Sequence, residues 1–301
     1  MNAGCRVADV SDSVQGVRVP MRLLYPTHAT TQAVNVGPYT LDVAIDAPVA
    51  GEDLPLIVIS HGTGSSPWLF RDLAGYLANE GFVVALPEHT GNSRSDDSLA
   101  GTVVNLQNRP RHVRLGIDAA YADPVVGPRL VQGGVVVIGH SLGGYTALAV
   151  AGGQPWAFGP QTTDGVPYPF PVVHDPRVSG LILLAPATAW FMGEGALAHV
   201  GVPILMLTGE HDEFAPDFHG DVVLRGVPDR SRVDHRVIPN AGHFAFVSPF
   251  PPSMNRPDFL PSQDPPGFDR AAYVGVLAAD VTAFIRRLTR VRRAPGSAAA
   301  R

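Results

Sequence analysis

The chain has 301 residues, a net charge of −5 and a pI of about 6.1, so nothing global draws it to nucleic acid or an anionic membrane. All 22 of its basic residues are arginine, which excludes a Schiff-base lysine, a P-loop lysine and a Ser-x-x-Lys nucleophile pair. The single cysteine, Cys5, excludes an intramolecular disulfide and a cysteine-rich metal site; it falls in an N-terminus read as loose and is taken as incidental.

The opening MNAGCRVADV has no basic patch followed by an apolar run, so no signal peptide is expected. No stretch of 18 apolar residues suggests a membrane span, and the expected location is cytoplasmic. Residues 17–25 and 41–45 have β-rich alternation and predict an antiparallel opening ribbon. Residues 56–60 (LIVIS) are a continuous apolar run, the pattern of a strand buried on both faces. A helix follows over 69–79, a second buried strand over 82–86, a helix over 111–121 and a strand over 135–138. Residues 142–151 read as a helix rich in small residues, 181–185, 204–207 and 233–238 as strands, and 268–288 as a long amphipathic helix.

Strands alternating with helices predict an α/β fold, a mostly parallel sheet covered on both faces, in one domain over residues 1–290. In such sheets ligands lie outside the carboxyl ends of the strands. Two proline- and aromatic-rich stretches, 152–179 and 247–267, exceed ordinary connections and are candidate lids or pocket walls. The tail 291–301 is expected to be disordered.

Gly139-His140-Ser141-Leu142-Gly143 is a G-x-S-x-G run, a pattern worth about 0.2 chance occurrences at this composition. Its setting gives it weight, because it joins a buried apolar strand to a helix, as a nucleophile elbow requires. A serine hydroxyl needs a base to become nucleophilic, and the partners follow in the order Ser, Asp/Glu, His. His243 is the candidate base, lying in the loop after the last strand. For the acid, residues 208–213 offer three carboxylates; Asp212 is preferred, Glu210 is its main rival, and Glu213 and Asp217 follow. An oxyanion hole needs two N–H donors. Leu142, just after the nucleophile, supplies one, and the His-Gly-x-Gly loop after residues 56–60 supplies Thr63, with Gly64 as the alternative.

With these residues in place the chain resembles the α/β-hydrolase superfamily. More narrowly, it is similar to the bacterial dienelactone hydrolase-like proteins and the intracellular platelet-activating-factor acetylhydrolases. The matching stretches are LPLIVISHGTGSS, LANEGFVVALPEHTGN, VVVIGHSLGGYTALAVAGG, LTGEHDEF and IPNAGHFAFVSPF followed by GFDRAAYV, within residues 17–288. The resemblance implies Ser141, Asp212 and His243 as a triad with Thr63 and Leu142 as oxyanion donors. Dienelactone hydrolase proper uses a cysteine where this chain has Ser141, so no lactone substrate is implied.

Trp68, Trp190, Phe191 and Phe244 are candidate substrate contacts, with Phe214 and Phe246 also near the expected site. Aromatics on carboxyl-end loops without an arginine cluster favour a neutral, partly apolar small-molecule ester of small to medium acyl size. Alternatives on the same residues are an amidase, a thioesterase, an acyltransferase or a non-catalytic binding module. No cofactor is expected, and the histidines lack a zinc-ligand spacing such as H-E-x-x-H.

Overall fold

The computed structural model describes residues 1–293; the expected tail beyond residue 293 lies outside them. Ten strands form one sheet: β1 (Asn2–Val7), β2 (Met21–Thr27), β3 (Gln32–Val36), β4 (Tyr39–Ile45), β5 (Leu56–Ser60), β6 (Val83–Pro87), β7 (Val135–His140), β8 (Val178–Leu184), β9 (Ile204–Gly209) and β10 (Val233–Ile238). Across the sheet they run β10-β9-β8-β7-β5-β6-β2-β1-β4-β3. From β10 to β6 every pairing is parallel, and β2 then pairs antiparallel with both β6 and β1.

Alternation along the central strands divides the core. Leu56, Val58, Val83, Val135, Val137, Leu181 and Leu183 face one cluster, and Ile57, Ile59, Val84, Val136, Ile138, Ile182 and Leu184 face the other. Each fully buried aliphatic contributes about 1.5–3 kcal/mol, which is why these strands read as unbroken apolar runs. Helices α1 (Arg71–Asn79) and α5 (Arg270–Arg293) cover the second face. Helix α5 docks through Leu277, Ala278, Val281, Phe284 and Ile285, one stripe at helical spacing. The first face is covered by α2 (Val103–Ala122), α3 (Leu142–Val150) and α4 (Phe218–Gly226).

Three expectations are corrected. The N-terminus is not loose: Cys5 is buried on β1, and burial pushes its thiol up to about 11, so little thiolate exists at neutral pH. Helix α2 begins eight residues earlier than residue 111, with the Thr102 hydroxyl accepting from the N–H of Asn105. Pro110 hid that start, because a proline ordinarily ends a helix and here lies inside one. Helix α5 also runs on past residue 288, through residues expected to belong to the tail.

The chain lays β6 on one side of β5 and then crosses back to place β7 on the other. Strand order therefore reverses between β5 and β7, where an open α/β sheet leaves its ligand crevice. The loop after β5 is 61–66, and the turn after β7 carries Ser141.

Candidate active site

Ser141 sits between β7 and α3 with φ 53° and ψ −121°, a backbone state that L-residues seldom adopt and that costs about 1–3 kcal/mol. Three bonds enforce it. The Ser141 N–H donates to Leu184 O at 3.0 Å, and Ser141 O accepts from Gly144 N at 2.8 Å and Ala187 N at 2.9 Å. The flanking glycines are obligatory by space: a Cβ on Gly139 would collide with the Gly143 carbonyl, and one on Gly143 with the Ser60 carbonyl. The turn thus lifts one serine out of a strand-to-helix junction, leaving it half-buried.

Both oxygens of Asp212 lie on Nδ1 of His243, at 2.9 and 3.0 Å, and both side chains are buried. Asp212 Oδ1 also accepts from the N–H groups of Phe214 (2.9 Å) and Ala215 (2.8 Å), which fixes the carboxylate. With Asp212 accepting at Nδ1, the proton sits there and Nε2 of His243 is the basic nitrogen. The rival Glu210 is engaged elsewhere, its Oε2 accepting from Asn240 N at 2.8 Å and holding the turn that precedes the His243 loop. Glu213 and Asp217 are exposed.

His140, next to Ser141 in the chain, donates from Nε2 to the His243 carbonyl at 2.9 Å. Its ring lies 4.9 Å from that of His243. Burial, and then the neighbouring His243, push its pKa down to about 3, so it is neutral and acts as a fixed donor.

The loop after β5 lies directly against Ser141, for a Cβ on Gly62 would stand 3.2 Å from the Ser141 Cβ. Leu142 is the first residue of α3, and an N–H in a helix's first turn has no intrahelical acceptor. Thr63 is exposed, and its Oγ1 accepts from Asn92 Nδ2 at 2.9 Å.

Behind this loop is a buried polar cluster that the sequence reading did not find. Arg109 on α2 is fully buried; it donates to Asn92 Oδ1 (2.7 Å), to Thr146 Oγ1 (3.0 Å) and to the His61 carbonyl. Thr146 in turn donates to Leu142 O at 3.0 Å, and Asn92 reaches Asp97 at 2.6 Å. Burial lowers the Arg109 pKa to about 9, and no carboxylate among the described residues is within ion-pair distance of it. This cation therefore ties the His61–Thr63 loop to the start of α3. Beside it His61, His89 and His112 are buried, with His61 lowered to about 3 and His112 to about 4, chiefly by burial. His61 Nε2 accepts from the N–H of His89, so its proton is on Nδ1, which donates to Gly62 O.

Two cavities border the Asp212–His243 pair and the Thr63 loop, and Ser141 and Leu142 line neither. One, of about 730 Å³, is lined by Asp212, Gly242, His243 and Phe244 together with Glu213, Phe214 and Leu260. The other, of about 170 Å³, is lined by Thr63, Gly64, Phe244, Phe250 and Phe259 together with Tyr39. Of the four candidate substrate contacts only Phe244 lines them. Trp190 and Phe191 pack on Tyr145 of α3, and Trp68 borders a small separate cavity beside β2. The 247–267 stretch walls both cavities, whereas no residue of 152–179 lines either; residues 171–173 border a different cavity, together with Thr90, Gly91 and Leu99. Among the described residues no group of His, Cys, Asp or Glu is arranged to hold a metal ion, and no helix is long and apolar enough to cross a membrane.

Residues 51–160, which carry the β5 loop and the elbow, match the family described as Serine aminopeptidase, S33. A curated relative, the carbendazim hydrolyzing esterase of Nocardioides sp. (strain SG-4G), is 33% identical over 94 residues, 31% of this chain. The match spans 34% of that relative's length. Among solved structures, a ferulic acid esterase from Streptomyces cinnamoneus superposes with a TM-score of 0.69 at 20% identity, over 98% of this chain and 92% of that one. A dienelactone hydrolase-like promiscuous phosphotriesterase from metagenomic libraries superposes at 0.61 with 16% identity, over 96% and 99%.

Proposed function

We propose that this chain, which has the fold of the esterases it superposes on, hydrolyses carboxylic esters through an acyl-serine intermediate as a member of the α/β-hydrolase superfamily. The observation that carries the reading is the conjunction of a strained, enforced Ser141 turn with a buried Asp212–His243 pair, whose histidine carbonyl is bonded by His140, the residue before Ser141.

In this reading His243 Nε2 takes the Ser141 proton as Oγ attacks the ester carbonyl. Asp212 keeps the imidazole in the correct tautomer and stabilises the imidazolium, without taking the proton itself. The negative oxygen of the tetrahedral intermediate is received by the N–H groups of Leu142 and Thr63. Each such donor is worth about 2.7–4 kcal/mol of barrier. His243 then returns its proton to the leaving alcohol, and water, activated by the same histidine, releases the acid and regenerates Ser141. The aromatic lining of the smaller cavity suits an uncharged acyl group of small to medium size.

The test is hydrolysis of p-nitrophenyl acetate and butyrate. Ser141→Ala is expected to lower kcat by at least about 10⁴-fold while the protein still folds. A variant that keeps its activity overturns the reading. The family match leaves amide cleavage as a second reading, favoured by the exposed Glu213 in the larger cavity, which suits a free amino group. Aminoacyl p-nitroanilides cleaved faster than matched esters would favour it.

A further inference from the structure

We infer that the two cavities divide the substrate, the acyl group entering the 170 Å³ aromatic pocket and the alcohol lying in the 730 Å³ cleft. The inference rests on the esterase reading and adds the substrate class to it.

The assignment follows from which reacting group borders which space. The catalytic histidine must hand a proton to the departing oxygen, so the leaving group emerges on the side of His243. His243 and Gly242 line the large cleft, and Thr63 does not. The carbonyl oxygen points at the oxyanion donors, and the small pocket opens from that loop: Thr63, Gly64, Ser65 and Ser66 line it, and His243 does not. Phe244 lines both spaces, and its ring stands edge-on to His243 at 5.1 Å. Ser141 lines neither space, so in the inferred pose the ester carbonyl on its Oγ lies between them and each substituent passes to one side of Phe244.

The small pocket is bounded by fixed groups. Phe250 and Phe259 meet edge to face at 5.2 Å, and Tyr39 and Leu69 complete the apolar lining, with exposed Arg94 at the rim. The wall bearing these phenylalanines is pinned at both ends. Arg71 donates to the Pro249 carbonyl, and the Ser248 N–H donates to Leu69 O at 2.7 Å. Buried Arg270 donates to Pro261 O at 2.7 Å and pairs with Asp264 at 2.6 Å. Stretch 247–267 is therefore a built wall, and the size it sets is a property of the folded chain. An apolar cavity of about 150 Å³ holds one benzene ring, so the pocket takes an acyl group of one ring or a short branched chain. The cleft is more than four times larger, and its walls carry Glu213 and the exposed ring of Phe214, which suit a bulky neutral or cationic alcohol.

Two ester series test the division: acyl groups from acetyl to octanoyl, benzoyl and 2-naphthoyl on p-nitrophenol, and acetates of alcohols from ethanol to naphthol and choline. The expected kcat/KM falls at least tenfold from benzoyl to naphthoyl and from butyryl to octanoyl, and varies less across the alcohols. Phe259→Ala should raise the naphthoyl/benzoyl ratio about tenfold, and Phe259→Trp should lower it, both leaving the alcohol series in place. Leu260→Ala, in the cleft and 61% exposed, should leave the acyl series unchanged. Phe259 is only half-buried, so both of its variants should fold. An acyl profile that ignores both Phe259 variants, or an alcohol profile that follows them, overturns the division and leaves the esterase reading standing. A wild-type chain that cleaves no ester of either series overturns both.

Discussion

One side of the site is made of strand-end backbone: Ser141 held by three main-chain bonds, glycines that admit no Cβ, and a loop clamped from behind by Arg109. The facing side, residues 247–267, is made of side chains, with phenylalanines and prolines on short turns tied down by Arg71 and Arg270. The first construction fixes backbone positions through bonds and steric exclusion, as charge stabilisation demands. The second fixes a volume, and a volume tolerates substitution at smaller cost. In the proposed esterase, chemistry and selectivity therefore have separate physical foundations, and perturbing each should move different kinetic constants.

The largest expected effect is at the acid. Asp212→Asn should lower kcat by about 10⁴-fold, because the amide favours the wrong imidazole tautomer. Glu210→Gln should lower it less than about tenfold, since Glu210 holds only the Asn240 turn. Steady-state kinetics on p-nitrophenyl butyrate decide it, and equal losses would restore Glu210 as a rival for the role of acid.

Next comes the backbone. Gly139→Ala drives a methyl into the Gly143 carbonyl and shifts Ser141, so kcat should fall about 10²-fold at nearly constant KM. A KM effect alone would contradict the account. Arg109→Met should act through both stability and rate. It leaves the His61 carbonyl, Asn92 and Thr146 without their donor, each costing about 1–3 kcal/mol. The milder Thr146→Val removes the link to Leu142 O and the acceptor of one Arg109 N–H, and should lower kcat several-fold with a smaller loss of melting temperature than Arg109→Met.

A smaller, graded effect is expected of pH. His61, His112 and His140 have folded pKa values of about 3 to 4, lowered by burial, against an ordinary value of 6.5. Between pH 6.5 and 4 the unfolded chain takes up protons that the folded chain refuses, so stability falls as pH falls. Each histidine contributes up to about 1.4 kcal/mol per pH unit in that window. Urea unfolding at pH 7, 6 and 5 should show a steadily falling midpoint, and a flat profile would mean that these rings accept protons in the fold. The smallest effect is at the wall: Arg71→Ala frees Pro249 O and should raise KM a few-fold with kcat retained.

The sequence was most readable where backbone geometry dictates residue type. The buried strands read as apolar runs because both faces are covered, and the elbow showed itself through glycines that sterics require. His243 and Asp212 followed from strand order, and the structure brings them within 3.0 Å. Arg109 stayed hidden because its partners come from three separate stretches and because Pro110 masked the helix that carries it. Trp68, Trp190 and Phe191 have the composition of substrate contacts but pack elsewhere, since an aromatic at a loop position buries area wherever the fold offers it. Pocket volume belongs to packing between distant segments, Tyr39 with Phe259 for example, and no local pattern encodes it.

The central claim is that Ser141 forms a covalent acyl intermediate, and trapping tests it most directly. Incubation with a fluorophosphonate, followed by proteolysis and mass spectrometry, should place one adduct on Ser141. Ser141→Ala should take no label, and His243→Ala should label at least about 10²-fold more slowly. An unlabelled wild-type protein, or an adduct on another serine, would contradict the account.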